Sequence, residues 1–190
     1  NPKNMSLQVA KDTVDFIMQN HDKKHRPLFN FFGGEPTLRW DDLIVPTVLY
    51  IREKYDNVWL GITTNGILLD RDKLEFLKKY NVGLLLSMDG DKITQDINRP
   101  TKTGDSSFDI LEPKLPMILE YYPNLIFRAT TNNDTVQYFV ENHKYAVKQG
   151  FKRIFNIVNM FADYTQEQMD ILDDQIRQLA DYYMELVRQQ

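Results

Sequence analysis

Not one of the 190 residues is cysteine, which excludes disulfides and thiolate metal ligands within this chain. Positive charge is short as well. The 23 Lys and Arg face 27 Asp and Glu for a formal net charge of −4, and they form no basic block of the kind that nucleic-acid surfaces use. Nucleic acid is therefore excluded as a first reading. No apolar run approaches the roughly 18–20 residues of a membrane span, and Asn1-Pro2-Lys3-Asn4 does not read as the opening of a signal peptide. The expectation is a soluble, cytoplasmic protein with neither a nucleic-acid nor a membrane partner. What the chain does have is core material: 42% hydrophobic and 12% aromatic residues suffice for a globular domain.

Apolar spacing predicts helices over 5–20, 70–80, 107–121, 136–149 and 165–190, the third interrupted by Pro113 and Pro116. Asp41 is predicted to cap a further helix carrying Leu43, Ile44, Val48, Leu49 and Ile51. Short apolar runs predict strands at 27–32, 58–63, 82–88, 125–130 and 153–158, with 82–88 buried on both faces. Strands followed by helical segments, with connections long enough for crossovers, argue for parallel pairing and an α/β fold. Periodicity leaves sheet and barrel both open, but in either one ligands gather at the carboxyl ends of the strands. Those ends read Gly33-Gly34-Glu35-Pro36, Thr63-Thr64-Asn65-Gly66, Ser87-Met88-Asp89-Gly90, Arg128-Ala129-Thr130-Thr131-Asn132 and Asn156-Ile157-Val158-Asn159.

At the first of these, glycine allows positive φ and close approach to backbone, and Pro36 pushes Glu35 out of the helical region. The stretch lacks the spacing and the charge of a phosphate loop. Carbonyl oxygens and a carboxylate suit an ammonium group, and a tight strand-to-helix turn explains the four residues equally well. Other candidates are weaker. His21 and His25 are four apart but flank Lys23-Lys24 and have no third ligand, so they read as a solvated loop. His143 reads as a surface or rim residue of an amphipathic helix, and the Tyr and Phe residues as core packing.

The order Phe-Phe-Gly-Gly-Glu-Pro, then Thr-Thr-Asn-Gly-Ile-Leu-Leu, then Ser-Met-Asp-Gly resembles the radical S-adenosylmethionine superfamily. Gln95-Asp96-Ile97-Asn98-Arg99 and Gly104-Asp105-Ser106-Ser107-Phe108-Asp109 extend the likeness, which covers about residues 5–160. The branch it is most similar to modifies peptides and proteins and includes the anaerobic sulfatase maturases. The resemblance implies a partial (β/α)6 barrel, S-adenosylmethionine as cofactor, and a peptide or protein substrate. It implies that Gly33, Gly34 and Glu35 receive the cofactor's amino group, and that Ser87 lies near its ribose or carboxylate. Arg128 is aligned as a bidentate carboxylate partner, and Asn65 and Asp89 as lining the same rim. Gln95 stands where the family usually has histidine, and Asp96 with Arg99 is expected to form a loop-stabilising ion pair.

The family's three-cysteine motif, which binds a 4Fe–4S cluster, is missing. Met5-Ser6 matches the start of the helix after the cluster loop, so the first strand and that loop are expected before Asn1. On this reading the chain is a piece of a longer enzyme that cleaves S-adenosylmethionine reductively to a 5′-deoxyadenosyl radical, with the cluster in the parent only. The piece is expected to be inactive. The alternative is a non-catalytic α/β domain that binds S-adenosylmethionine or another amine-bearing ligand. Residues 1–164 are assigned to the barrel core and 165–190 to a helix of the same domain. Its stripe of Met169, Leu172, Ile176, Leu179, Tyr183 and Leu186 suits packing on that domain ahead of a coiled-coil seam. A barrel without its first strand exposes a strand edge, through which self-association is expected.

Overall fold

In the computed structural model, residues 4–189 are described; the Asn1-Pro2-Lys3 part of the opening segment and Gln190 at the end of the last predicted helix lie outside them. The Ser6 hydroxyl accepts a hydrogen bond from the Val9 N–H at 3.2 Å and so starts α1 (Leu7–Asn20). The chain continues through β1 (Leu28–Phe31), a 3-10 turn (Pro36–Arg39), a π-helical turn (Trp40–Ile44), α2 (Val45–Lys54), β2 (Trp59–Thr64) and α3 (Arg71–Lys79). Next come β3 (Val82–Ser87), α4 (Lys92–Asn98), α5 (Ser107–Leu111), α6 (Leu115–Tyr121) and β4 (Ile126–Thr131), then α7 (Phe139–Lys148), β5 (Arg153–Val158) and α8 (Gln166–Arg188). The strands form one sheet in the order β1-β2-β3-β4-β5, and the β1–β2, β3–β4 and β4–β5 pairings are parallel. The α/β alternation expected from spacing is thus observed. Two compact units divide the chain, Asn1–Leu85 and Leu86–Gln190.

In the first unit Val48, Ile51, Leu60, Ile62, Leu74 and Leu77 are buried. Arg26 Nη2 and Arg52 Nη1 both donate to the Val58 carbonyl, at 2.9 and 3.0 Å, and Arg26 lies 3.8 Å from the centre of the Trp59 ring. This ties the segment before β1 to the start of β2. On the helical side Asp15 of α1 accepts from Tyr50 and Tyr55 hydroxyls at 2.7 and 2.8 Å and from Lys54 Nζ at 2.7 Å. In the second unit Val136, Phe139 and Leu172 form a core against which Val158, Tyr164, Ile171 and Leu179 pack. The Thr165 side chain accepts from Gln168 N–H while the Gln168 side chain accepts from Thr165 N–H, a reciprocal cap that starts α8.

Several expectations are corrected. Asp41 does not start the second helix, because the chain turns helical five residues earlier, where the Glu35 carboxylate accepts from Thr37 N–H. β3 is not buried on both faces: Val82 and Leu86 are buried, but Gly83 is exposed. The stretch expected to be a loop stabilised by Asp96 and Arg99 is in part helical: Lys92–Asn98 form α4 because Asp91 accepts from Thr94 N–H. The α8 stripe is covered unevenly: Leu172 is buried and Leu179 packs against the same core, whereas Met169, Ile176 and Tyr183 are exposed. Phe16, Phe32 and Phe161 are exposed, not core. His143 is buried, its Nδ1 2.7 Å from the Phe139 carbonyl, and burial pushes its pKa down.

Candidate functional site

The predicted site residues fall into two sets, Gly33, Gly34, Glu35 and Asn65 in the first unit and Ser87, Asp89 and Arg128 in the second. After β1 the backbone enters the left-handed region at Gly33 (φ 103°) and Gly34 (φ 46°), where a side chain would find open space but a strained backbone. Glu35 is extended, as Pro36 requires. Its Oε1 accepts from Thr37 N–H at 3.0 Å, from the Thr37 hydroxyl and from the Thr64 hydroxyl at 2.7 Å; its Oε2 accepts from Asn65 N–H at 2.8 Å. Four donors of the chain therefore occupy the carboxylate, which joins the ends of β1 and β2. The Asn65 side-chain oxygen is used as well, accepting from Ile67 N–H at 3.0 Å. The Gly33 and Gly34 carbonyls accept no hydrogen bond among the described residues. Carbonyl oxygens, rather than the acidic tip, are what this turn offers a donor.

In the second unit Ser87 of β3 stands in register with Arg128 of β4, and Arg128 in turn with Phe155 of β5. Thr130 is in register with Ile157. Alternation along a strand puts Ser87, Arg128, Thr130, Phe155 and Ile157 on one face. Among the described residues Arg128 has no ion pair and its side chain makes no hydrogen bond, while Phe155 beside it is 55% exposed. An unpaired guanidinium against an apolar wall can take a carboxylate bidentately. Phe155 and Ile157 escaped the sequence reading. Alternation along 153–158 could have marked them as one face, but which face they share with Arg128 depends on the β4–β5 register.

Asp89 is 3% exposed and its carboxylate is held by the chain. Arg99 donates from Nε at 2.7 Å and from Nη2 at 3.1 Å, and Thr130 N–H donates at 2.9 Å. The expected Asp96–Arg99 pair is therefore corrected to Asp89–Arg99. Asp96 instead accepts from the Ser106 hydroxyl at 2.6 Å and Phe108 N–H at 3.1 Å. Burial alone would raise its pKa, but these hydrogen bonds together bring it below the usual carboxylate range. Gln95, at the position that departs from the family, is buried and its side-chain oxygen accepts from Asp89 N–H at 2.9 Å. Beyond the strands, amides form a chain: Asn159 donates to Asn132 at 2.9 Å and Asn132 to Asn98 at 3.0 Å.

A family model described as the radical SAM superfamily matches residues 2–175. The chain is 35% identical over 159 residues to an uncharacterized protein of Methanocaldococcus jannaschii, covering 81% of this chain and 53% of that protein. It is 31% identical to the radical SAM cyclopropyl synthase TigE of Paramaledivibacter caminithermalis, over 73% of this chain and 28% of that one. A cysteine-type anaerobic sulfatase-maturating enzyme of Clostridium novyi is 28% identical, over 65% of this chain and 34% of its own length. The chain thus spans about half of these relatives' lengths or less. The solved structure of native anSMEcpe with bound AdoMet and Cp18Cys peptide superposes with a TM-score of 0.79 at 22% identity, covering 95% of this chain and 52% of that one. That likeness shows a shared fold, the partial (β/α) barrel.

Proposed function

The chain belongs to the radical SAM superfamily, and we propose that it is the S-adenosylmethionine-holding part of a longer enzyme that modifies a peptide or protein. The observation that carries this reading is Arg128, a cation without an acidic partner among the described residues, in register with Ser87 and walled by Phe155. The methionyl part of S-adenosylmethionine bears a carboxylate and an ammonium group. In the second unit Arg128 and Ser87 suit the carboxylate; in the first, taken by itself, the open Gly33 and Gly34 carbonyls suit an ammonium group. Glu35 and Asp89 act through the loops they hold: Glu35 fixes the backbone of Asn65, and Asp89 fixes that of Thr130. Phe155 and Ile157 exclude water beside the Arg128 contact. The peptide substrate is supported by TigE, by the sulfatase-maturating relative and by the peptide named in the anSMEcpe structure.

The residues do not fit a 4Fe–4S cluster. There is no cysteine, and among the described residues no group of three or more His, Cys, Asp or Glu could hold a metal. The cluster ligands of the parent enzyme lie outside this chain, which by itself is inactive and binds S-adenosylmethionine weakly. The same absence favours a second reading, a domain that binds S-adenosylmethionine without chemistry. One experiment separates them. The parent protein, reconstituted anaerobically with iron and sulfide and then reduced, releases 5′-deoxyadenosine; no release with an intact cluster overturns the enzyme reading. In calorimetry on that protein, Arg128→Leu weakens S-adenosylmethionine binding about 10-fold or more, the loss of one charge-assisted bidentate contact. Unchanged affinity removes Arg128 from the site.

A further inference from the structure

The row of amides in the second unit has no part in the cofactor reading. Its two ends fix its direction. Asn159 Oδ1 accepts from Phe161 N–H at 3.1 Å, which turns Asn159 Nδ2 toward Asn132 Oδ1, 2.9 Å away. At the other end Asn98 Nδ2 donates to the Thr130 carbonyl at 3.0 Å, which turns Asn98 Oδ1 toward Asn132 Nδ2, also at 3.0 Å. Each amide nitrogen carries two N–H groups and spends one of them within the row. One N–H on each of Asn98, Asn132 and Asn159 is therefore left without an acceptor among the described residues, and all three residues are half-buried. The row also has a defined place on the sheet. Asn132 is extended (φ −99°, ψ 167°) and Asn159 N–H donates to the Thr131 carbonyl at 2.9 Å, so the parallel ladder runs one step past the ends of β4 and β5. Alternation then carries Asn132 and Asn159 onto the face of Arg128, Thr130, Phe155 and Ile157. Asn132 stands about 13 Å beyond Arg128 toward the carboxyl ends. No charge belongs to the row, because Arg99, next to Asn98, is matched by the buried Asp89.

We propose that Asn98, Asn132 and Asn159 bind the main-chain carbonyls of the peptide substrate. The inference deepens the reading of a peptide-modifying enzyme and rests on it. An apolar ligand would bury these N–H groups without a partner, which costs more than the contact returns. A carboxylate or phosphate would draw on a cation, and the row holds none. A peptide group is uncharged and presents a carbonyl, so it satisfies an amide N–H without bringing a charge out of water. The row crosses from the end of α4 over the end of β4 to that of β5, and neighbouring strands lie about 4.8 Å apart. Such a line of donors meets several carbonyls of an extended chain, more than one small group can offer. Contacts of this kind hold the backbone in place without reading the side chains, so they position a peptide and do not select its sequence.

A capped alanine tetrapeptide, acetylated and amidated, offers main-chain carbonyls with neither charge nor long side chains. Saturation-transfer NMR on the parent protein loaded with S-adenosylmethionine should show it binding at millimolar concentration. Asn159→Ala should weaken that binding about 5-fold, the loss of one hydrogen bond of ordinary strength. Asn159→Asp keeps the size of the side chain and the acceptor for Phe161 N–H but has no N–H to give, and should weaken it at least as much. Far-ultraviolet circular dichroism checks that both variants are folded, and calorimetry should find their S-adenosylmethionine affinity within about twofold of the wild type. No tetrapeptide signal with the wild type overturns the proposal, as does equal tetrapeptide affinity in both variants. A loss of S-adenosylmethionine affinity with tetrapeptide binding intact also overturns it, since the amides would then serve the cofactor. Failure of Arg128→Leu to weaken S-adenosylmethionine binding bears on the cofactor reading alone and leaves the tetrapeptide result standing.

Discussion

Two contacts at strand ends show how single residues set the loops there. A Cβ at Gly90 would stand 2.0 Å from Asn142 Oδ1, an atom that accepts from Asp91 N–H at 3.1 Å. No side chain fits there while Asn142 keeps that hydrogen bond. Gly90→Ala should therefore cost about 1–3 kcal/mol in urea denaturation. Adding Asn142→Ala should cost less in that background than in the wild type, because the clash and the lost bond share one partner. Strictly additive costs would sink the argument. Glu35 teaches a related point. Reading its carboxylate as suited to an ammonium group follows from residue chemistry, but that its oxygens accept from Thr37, Thr64 and Asn65 does not. Only the folded position of Thr64, twenty-nine residues on, decides that.

At the scale of elements, α1 is held to α2 by the Asp15 cluster. The hydrogen bond from Lys54, then those from Tyr50 and Tyr55, lower the Asp15 pKa from 3.8 to about 2. A carboxylate depressed in the folded state contributes stability that is present above its unfolded pKa and lost as pH falls through the folded one. The stability gap between wild type and Asp15→Asn should thus be constant above about pH 5 and shrink toward pH 2; a gap that does not change over that interval removes Asp15 from the clamp. α8 offers a contrast within one helix. Leu172→Ala empties a place in the core with Val136 and Phe139 and should cost about 2–5 kcal/mol. Ile176→Ala, on an exposed position of the same stripe, should change stability by less than about 1 kcal/mol. Comparable losses at both would mean that Ile176 is packed as Leu172 is. The 3,4 spacing of the stripe was legible in sequence; how far along it the domain reaches was not, since spacing reports a face and not what covers it.

For the whole molecule, a chain with no cysteine should take up no 4Fe–4S cluster: reconstitution with iron and sulfide followed by desalting should leave no broad visible absorption and no protein-bound iron. Stoichiometric iron would show ligands of another kind. The alternation of strands and helices, the glycines that need positive φ, the caps at Ser6, Asp70 and Thr165 and the family itself were all determined by sequence, because each depends on residues near in the chain or on ordered motifs. Tertiary structure decided which partners those residues meet. Arg99 pairs with Asp89 and not Asp96, and Gln95 holds Asp89 N–H, because α4 turns the chain back on the end of β3. Phe155 stands beside Arg128 because parallel register sets which residues of two strands are neighbours. Such pairings bring together side chains from elements apart in sequence, and hydrophobic spacing, which repeats along one element at a time, carries no record of them.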